Sequence, residues 1–318
     1  MMLTEVTELK LAVVRIVPES AGVLSLVLEN PGTTDLLPVW DPGAHIEVEV
    51  PGVGPRHYSL NSDPQDRRTW RISVLRSDNG RGGSVALHGV FPGSLLAVRG
   101  PRNNFPLADT ARLLLIGGGI GITPLLPMLR QAEREGRDWQ LLYSGRSRDS
   151  MAFLSELAPY GDRVRIFAND DGEFLDLAAE LAEPTPDMAV HCCGPTPMLD
   201  AAKVATAHWP TGSLRLERFA AVPAVILSAD RPFEVLAARS GVSTTVPVGC
   251  SILDSLEAAG IRPTSSCREG ICGTCETPVL EGIPQHRDSL LTEEERATNK
   301  TMIICVGRAA TDRLVLDL

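Results

Sequence analysis

The sequence predicts a multidomain fold: an antiparallel β domain, an α/β domain built on a parallel sheet, and a small α+β domain. Three observations predict it. Up to about Leu107 the chain runs as short alternating apolar segments divided by turn clusters, the pattern of an antiparallel barrel or sandwich. From there to about Ser228 apolar strands alternate with helical stretches, which implies crossovers and a parallel sheet. After Val222-Pro223 come a hairpin, one amphipathic helix and a cluster of cysteines.

In the first block, 1–107, strands are expected at Leu11–Ile16, Val23–Leu28, Ile46–Val50, Trp70–Leu75 and Leu95–Val98. Asn30-Pro31-Gly32 and Asp78-Asn79-Gly80 mark turns between them. In the second block, 108–228, Arg112–Ile116, Gln140–Tyr143, Arg163–Ala168, Met188–Cys192 and Leu214–Arg218 read as strands. Pro124–Glu135, Met151–Ala158, Leu175–Leu181 and Pro197–Ala207 read as helices between them. In the third block, 229–318, Phe233–Ala237 and Thr244–Val248 form a hairpin and Ser251–Ala259 a helix, with Glu293–Ala297 helix-like. Cys250 at the start of that helix reads as a small buried hydrophobe.

The chain has 318 residues, 43% of them apolar and 22% charged, which excludes general disorder and is enough for two or three domains. With 30 basic and 40 acidic residues, net −10, it is a poor match to a nucleic acid backbone. The basic and acidic counts are 10 and 11 in residues 1–107, 11 and 16 in 108–228, and 9 and 13 in 229–318. An acidic third block favours a basic docking patch on a partner protein. Met1–Lys10 is charged and unlike a signal peptide, and glycines and prolines interrupt the most apolar run, Leu113–Leu129. A cytoplasmic protein without a membrane span is therefore expected.

Seven cysteines, an odd number, argue against a disulfide framework. Cys267-x4-Cys272-x2-Cys275, with Cys305 as a distant fourth, has the plant-type [2Fe–2S] spacing. Two irons bridged by two sulfides need four thiolates. Gly270 and Gly273 let one loop supply three of them, and Cys305, in the strand-like Met302–Val306, closes over the cluster. A zinc ribbon would show two C-x2-C pairs, and here there is one. The six histidines show no metal-ligand spacing.

Gly117-Gly118-Gly119-Ile120-Gly121-Ile122-Thr123-Pro124 follows a strand and opens a helix, with Thr123 as N-cap and Pro124 at N1. Such a loop brings a pyrophosphate to a helix N-terminus, where N–H groups and the dipole favour anions. It departs from G-x-G-x-x-G, and Tyr143-Ser144-Gly145-Arg146 stands where an acid is expected. Arg146 and Arg148 allow a 2′-phosphate, whereas Asp149, Asp170 and Asp171 disfavour one. Elsewhere, Arg56-His57-Tyr58-Ser59-Leu60 follows a strand, and Gly80-Arg81-Gly82-Gly83-Ser84 can form an anion nest.

The stretch Ser265–Cys275 resembles the cluster loop of plant-type ferredoxins. Together with the glycine loop, Cys192-Cys193-Gly194-Pro195 resembles the nucleotide domain of the ferredoxin–NADP reductase superfamily, and Arg56-His57-Tyr58-Ser59 its flavin motif. The order of modules and the Gly-Arg-Gly-Gly-Ser form are similar to the phthalate dioxygenase reductase and vanillate demethylase reductase group. The resemblance spans essentially the whole chain. It implies a β-barrel flavin domain, an NAD domain and a β-grasp ferredoxin domain.

The resemblance also implies residue roles. Arg56, Arg81 and Ser84 hold the terminal phosphate of FMN, with His57, Gly82 and Gly83 beside them. Tyr58 packs on the isoalloxazine and Ser59 bonds flavin N5. Gly118, Gly119, Gly121, Thr123, Arg146, Gly194 and Pro195 bind NADH, and Cys193 presents its thiol at nicotinamide C4, with Cys192 a core residue. Phe219, in Glu217-Arg218-Phe219, stacks on the flavin and yields to nicotinamide.

The implied activity is hydride transfer from NADH to FMN, followed by single-electron transfer through the cluster to a Rieske-type terminal oxygenase. The cluster loop is expected near the flavin edge, with Cys272 and Cys275 on its exposed rim. A monomer is expected. The alternatives are a reductase serving a cytochrome P450 and a non-enzymatic redox sensor.

Overall fold

A computed structural model describes residues 7–220 and 230–318. The chain separates into two compact units, Met1–Glu217 and Arg218–Leu318. The expected boundary near Ser228 lies outside the described residues.

The first unit opens with β1 (Thr7–Ser20), β2 (Val23–Glu29), β3 (Ala44–Val50), β4 (Gly54–Ser59), β5 (Thr69–Leu75), α1 (Gly83–His88) and β6 (Leu95–Asn103). All pairings are antiparallel, in the order β4-β3-β6-β1-β2-β5. A bridge between Leu60, just past β4, and Ile72 on β5 joins the two end strands, so the sheet is a barrel rather than a sandwich. Alternation sends Leu11, Val13, Leu26, Leu28, Ile46, Val48, Ile72 and Val74 into its interior. β1 is far longer than the expected Leu11–Ile16, because it pairs with β6 through its first half and with β2 through its second.

The same unit continues with β7 (Arg112–Gly118), α2 (Leu125–Arg134), β8 (Asp138–Gly145), α3 (Leu154–Leu157), β9 (Val164–Ala168), α4 (Leu177–Glu180), β10 (Met188–Cys193), α5 (Thr196–Ala205) and β11 (Leu214–Glu217). These strands form a parallel sheet, ordered β11-β10-β7-β8-β9. The order reverses at β7, so a crevice opens between the carboxyl ends of β7 and β10. The helix expected over Met151–Ala158 is a single turn, since Phe153 takes a left-handed φ of 66° that breaks it. Phe105 and Ala108, from the end of the barrel, and Val23, from β2, join the core on one face of the parallel sheet. That shared core explains why the two blocks form one unit.

The second unit contains β12 (Phe233–Ala237), β13 (Val242–Val246), α6 (Ile252–Ala258), β14 (Glu276–Glu281), β15 (Pro284–Gln285), α7 (Glu293–Thr298), β16 (Thr301–Ile303), β17 (Arg308–Ala309) and β18 (Arg313–Leu316). A mixed sheet, β13-β12-β18-β14-β16, packs against α6 through Ile252, Leu253 and Leu256, the β-grasp arrangement. Ser251 caps α6 by accepting the Asp254 N–H at 3.0 Å. Thr292 and Glu295 form a capping box that starts α7. Cys250 is exposed, contrary to expectation. It sits in the tight turn before the Ser251 cap, with its N–H bonded to Pro247 O and its carbonyl to Arg308. No helix among the described residues is long and apolar enough to cross a membrane.

His191, on β10, is wholly buried, accepts the Ala108 N–H at 3.2 Å and lies edge-on to Phe105. Burial pushes its pKa down from 6.5 to about 4. The depressed value stabilises the fold fully above pH 6.5, and that contribution is lost as pH falls toward 4. Urea titrations should therefore show stability declining between those two values, with a shallower decline in His191→Gln.

Candidate functional site

The crevice at the carboxyl ends of β7 and β10 brings together both predicted nucleotide motifs. Gly117 and Cys193 are register partners on the two strands. Beyond them the loops touch. A Cβ on Gly121 would lie 2.2 Å from the Cys193 carbonyl oxygen, and one on Gly118 would lie 2.6 Å from Pro195 Cδ. Gly194 also approaches the Gly118 backbone, with its Cβ position 3.0 Å from Gly118 Cα. Only glycine permits this contact of backbone on backbone. Gly119 faces open space.

Thr123 does not cap α2. Its backbone is already helical, continuing a 3-10 turn over Gly119–Ile122, and its hydroxyl donates to Ile120 O at 2.9 Å. Pro124 takes the cap position instead. Arg146 lies one strand along the same edge, exposed, with its carbonyl accepting the Asp170 N–H. Arg148 is paired with Asp171 at 2.6 Å.

Cys193 is fully buried, and burial with the neighbouring Glu217 carboxyl pushes its thiol pKa up. Glu217 escaped the sequence reading. Its signal was register: at the end of β11 it pairs with Cys193. The residue is half-buried, but its Oε2 is sealed from solvent and unpartnered among the described residues, and burial raises its pKa from 4.5 to about 8. Cys192 is buried in the core on the other face of the sheet.

A second group assembles on the barrel. The Arg56 side chain lies against Gly83, where a Cβ would meet its Cγ and Nε at 2.9 Å. Arg56 also donates to the Arg81 carbonyl at 3.3 Å. Gly82 precedes α1, whose first turn has no side-chain cap. Uncapped N–H groups beside a guanidinium suit a phosphate. Ser84 Oγ is turned back into the loop, accepting the Ser77 N–H at 3.0 Å. Tyr58 is partly buried against the barrel core, which pushes its pKa up to about 12. Ser59 Oγ is buried and has no hydrogen-bond partner among the described residues, a polar atom left for a ligand to satisfy. His57 joins neither group, since strand alternation turns it toward Glu47 and His45. Phe219 lies beyond the unit boundary and is 43% exposed.

In the second unit the four predicted ligands meet. The Cys267 thiol interacts with those of Cys272 and Cys305, and the Cys275 thiol interacts with that of Cys305. Four linked thiols match two irons, each needing two thiolates. Neither these thiols nor any other three His, Cys, Asp or Glu among the described residues converge as a site for one ion. Gly270 (φ 72°) makes the loop possible, for its Cβ would strike Val306 at 2.7 Å and the Asp288 backbone at 3.2 Å. The Glu269 N–H points at Cys267 Sγ at 3.3 Å, the kind of contact that stabilises a thiolate. Two expectations are corrected. Cys272 and Cys275 are 4% exposed rather than on a rim, because the loop wraps inward and leaves Cys267 outermost. Cys305 follows β16 in a turn rather than within a strand.

An anion cradle on a barrel, a nucleotide crevice on a parallel sheet and a thiolate cage on a β-grasp unit together define a flavin/iron–sulfur oxidoreductase. Residues 235–310 match the family of 2Fe-2S iron-sulfur cluster binding domains. Over 93% of its length the chain is 44% identical to the phenoxybenzoate dioxygenase subunit beta of Ectopseudomonas oleovorans, covering 93% of that protein. Phthalate dioxygenase reductase, a solved structure described as modular for electron transfer from pyridine nucleotides to [2Fe-2S], matches over 98% of both chains with 36% identity and a TM-score of 0.71. An intact type IV self-sufficient cytochrome P450 monooxygenase matches 98% of this chain at 41% identity and a TM-score of 0.93, and this chain spans 41% of that structure. The chain belongs to the phthalate dioxygenase reductase family, whose cofactors are FMN, NADH and a [2Fe–2S] cluster.

The Gly121–Cys193 contact has a direct test. Gly121→Ala forces two backbones apart and should cost about 1–3 kcal/mol in thermal or urea melts while weakening NADH binding measured by titration. An unchanged melt with unchanged NADH affinity contradicts the packing described.

Proposed function

We propose that this chain is the monomeric reductase component of a two-component oxygenase, oxidising NADH and delivering single electrons to a Rieske-type terminal oxygenase. The observation that carries the reading is one chain holding both an NADH crevice with a flavin cradle and a two-iron thiolate cage. Three cofactor domains, 1–107, 108–228 and 229–318, divide the work. When bound, FMN accepts a hydride as two electrons, and the cluster passes electrons on one at a time.

The chain's residues prepare that chemistry. Arg56 and the first turn of α1 hold the terminal phosphate, with Arg81, Gly82, Gly83 and Ser84 shaping the loop. The buried Ser59 hydroxyl is poised to bond flavin N5, and Tyr58 to pack on the ring. Gly118, Gly119, Gly121, Gly194 and Pro195 admit the nucleotide to the crevice. Cys193, neutral through burial, borders the nicotinamide without competing as a nucleophile. For Phe219 the resemblance alone supplies a role, that of the flavin-stacking aromatic. The Arg148–Asp171 pair supports NADH over NADPH, since the arginine is already matched by a carboxylate. Cys267, Cys272, Cys275 and Cys305 hold the irons.

A second reading, reductase for a cytochrome P450, is favoured by the likeness to the self-sufficient monooxygenase. Reconstitution with each oxygenase type, followed by NADH-dependent product formation, decides between the two. Rapid flavin bleaching by NADH followed by cluster reduction supports a reductase over a redox sensor, and no turnover with either partner or with cytochrome c removes the proposal.

Two variants test the assignments. Cys305→Ser should lose the EPR signal of the reduced cluster while keeping NADH-driven flavin bleaching, and a normal signal would show that another residue is the fourth ligand. Arg56→Ala should weaken FMN binding by about 10- to 100-fold in fluorescence titration, the scale of a lost charged hydrogen bond. Unchanged affinity takes Arg56 out of the phosphate site.

A further inference from the structure

A polar network outside both motifs ties the barrel to the parallel sheet. Asn61, two residues beyond Ser59, is fully buried. Arg71 on β5 grips it from one side, with Nε donating to Asn61 Oδ1 at 2.7 Å and Nη2 to Asn61 O at 2.8 Å. Arg130 on α2 grips from the other, with Nη1 donating to Asn61 O and Ser62 O, both at 2.9 Å. Glu156 on α3 pairs with both arginines, at 3.0 Å from Arg71 Nη1. The side chains of Arg71 and Arg130 are only 18% and 16% exposed. A nearby pair, Arg134 with Asp63, is more exposed and joins side chains alone.

The placement is informative. Arg130 sits on the helix that begins where the Gly117–Gly121 loop ends, and it bonds the backbone just past the Ser59 strand. One side chain thus connects the nicotinamide side of the reaction to the flavin side. Hydride transfer needs the donor carbon, nicotinamide C4, and the acceptor nitrogen, flavin N5, held about 3–3.5 Å apart. Apolar contact between the sheets is non-directional and does not set such a distance. A guanidinium bonded to two successive carbonyls and backed by a carboxylate is directional and does.

We propose that Arg130, backed by Glu156 and Arg71, is a positioning residue that sets the flavin–nicotinamide distance by holding Asn61–Ser62 to α2. The inference rests on the reductase reading above. It assigns a kinetic role to residues that touch neither cofactor motif.

The test uses the full-length holoenzyme, stopped-flow flavin bleaching, and NADH against its 4-deuterated form. Arg130→Met and Glu156→Asp should slow bleaching at saturating NADH by about 10- to 100-fold and enlarge the isotope effect, as expected for a displacement near 1 Å. FMN content, NADH affinity and the cluster EPR signal should match wild type. Asp63→Asn, which breaks only the exposed pair, should bleach at the wild-type rate. Bleaching at the wild-type rate in Arg130→Met or Glu156→Asp overturns the proposal, as does a loss accounted for by missing FMN or weaker NADH binding. Should Arg130→Met not fold, Glu156→Asp decides, because it keeps the charge and shortens the arm by one methylene. A wild-type protein that NADH does not bleach overturns the reductase reading itself, and the inference with it.

Discussion

Partial burial of Arg71, Arg130 and Glu156 between the barrel and the parallel sheet is the constraint around which the first unit is organised. Charges taken out of water persist only where they are paired and their remaining protons are bonded. Burial pushes the pKa of Arg130 down to about 10, with the like charge of Arg71 adding to it, and it remains a cation at neutral pH. Two arginines so close need the Glu156 carboxylate, and their other N–H groups need the Asn61 and Ser62 carbonyls. The network extends inward, since Asn61 donates to Ser73 Oγ, which is 2.6 Å from Ser25 Oγ, and Ser25 donates to Glu19. A shift of one sheet against the other would strand several buried polar groups at once. Shared apolar packing through Val23, Phe105 and Ala108 makes the unit cohesive, and the polar network makes its geometry unique.

With that geometry set, the nucleotide crevice follows from topology. Parallel strands aim their carboxyl ends the same way, and the reversal of order at β7 separates the helices that leave β7 and β10. The glycine loop and the Cys193-Gly194-Pro195 turn then meet, with room for backbone but not for an added methyl. The thiolate cage obeys a local rule instead. Its spacing and two left-handed glycines, Gly270 and Gly273, bring three cysteines together, and packing of Cys305 into the core of the second unit supplies the fourth.

The contrast between these sites explains what could be read in advance. The meeting of the four cysteines was legible because the C-x4-C-x2-C spacing is itself the geometry of a loop. The nucleotide loop was legible because glycines between a strand and a helix serve few purposes. Ser59 and Arg56 were put forward by their motif and lie where it implies, while His57 in that motif turns toward Glu47 because strand alternation outranks adjacency. Thr123 was misread as a cap, since the 3-10 turn before it extends the helical path. Cys250 was misread as buried, since a cysteine in a turn before a polar cap has no core within reach. The Met151–Ala158 helix shrank because tertiary packing holds Phe153 in the core with a backbone angle no helix tolerates.

The sequence by itself determined the three kinds of element and put four cysteines and two glycine-rich loops forward as candidate sites. Each is encoded by residues within a few positions of one another, where covalent geometry limits the outcomes. Only the tertiary structure decided that the sheet closes into a barrel, that Glu217 lies opposite Cys193, and that Asn61, Arg71, Arg130 and Glu156 form one network. Those partners are separated by 10 to 85 positions, and no local pattern marks an arginine as interfacial rather than solvated. Their meeting is chosen by the cost of leaving a buried charge unpaired, a cost that exists only once the chain has folded.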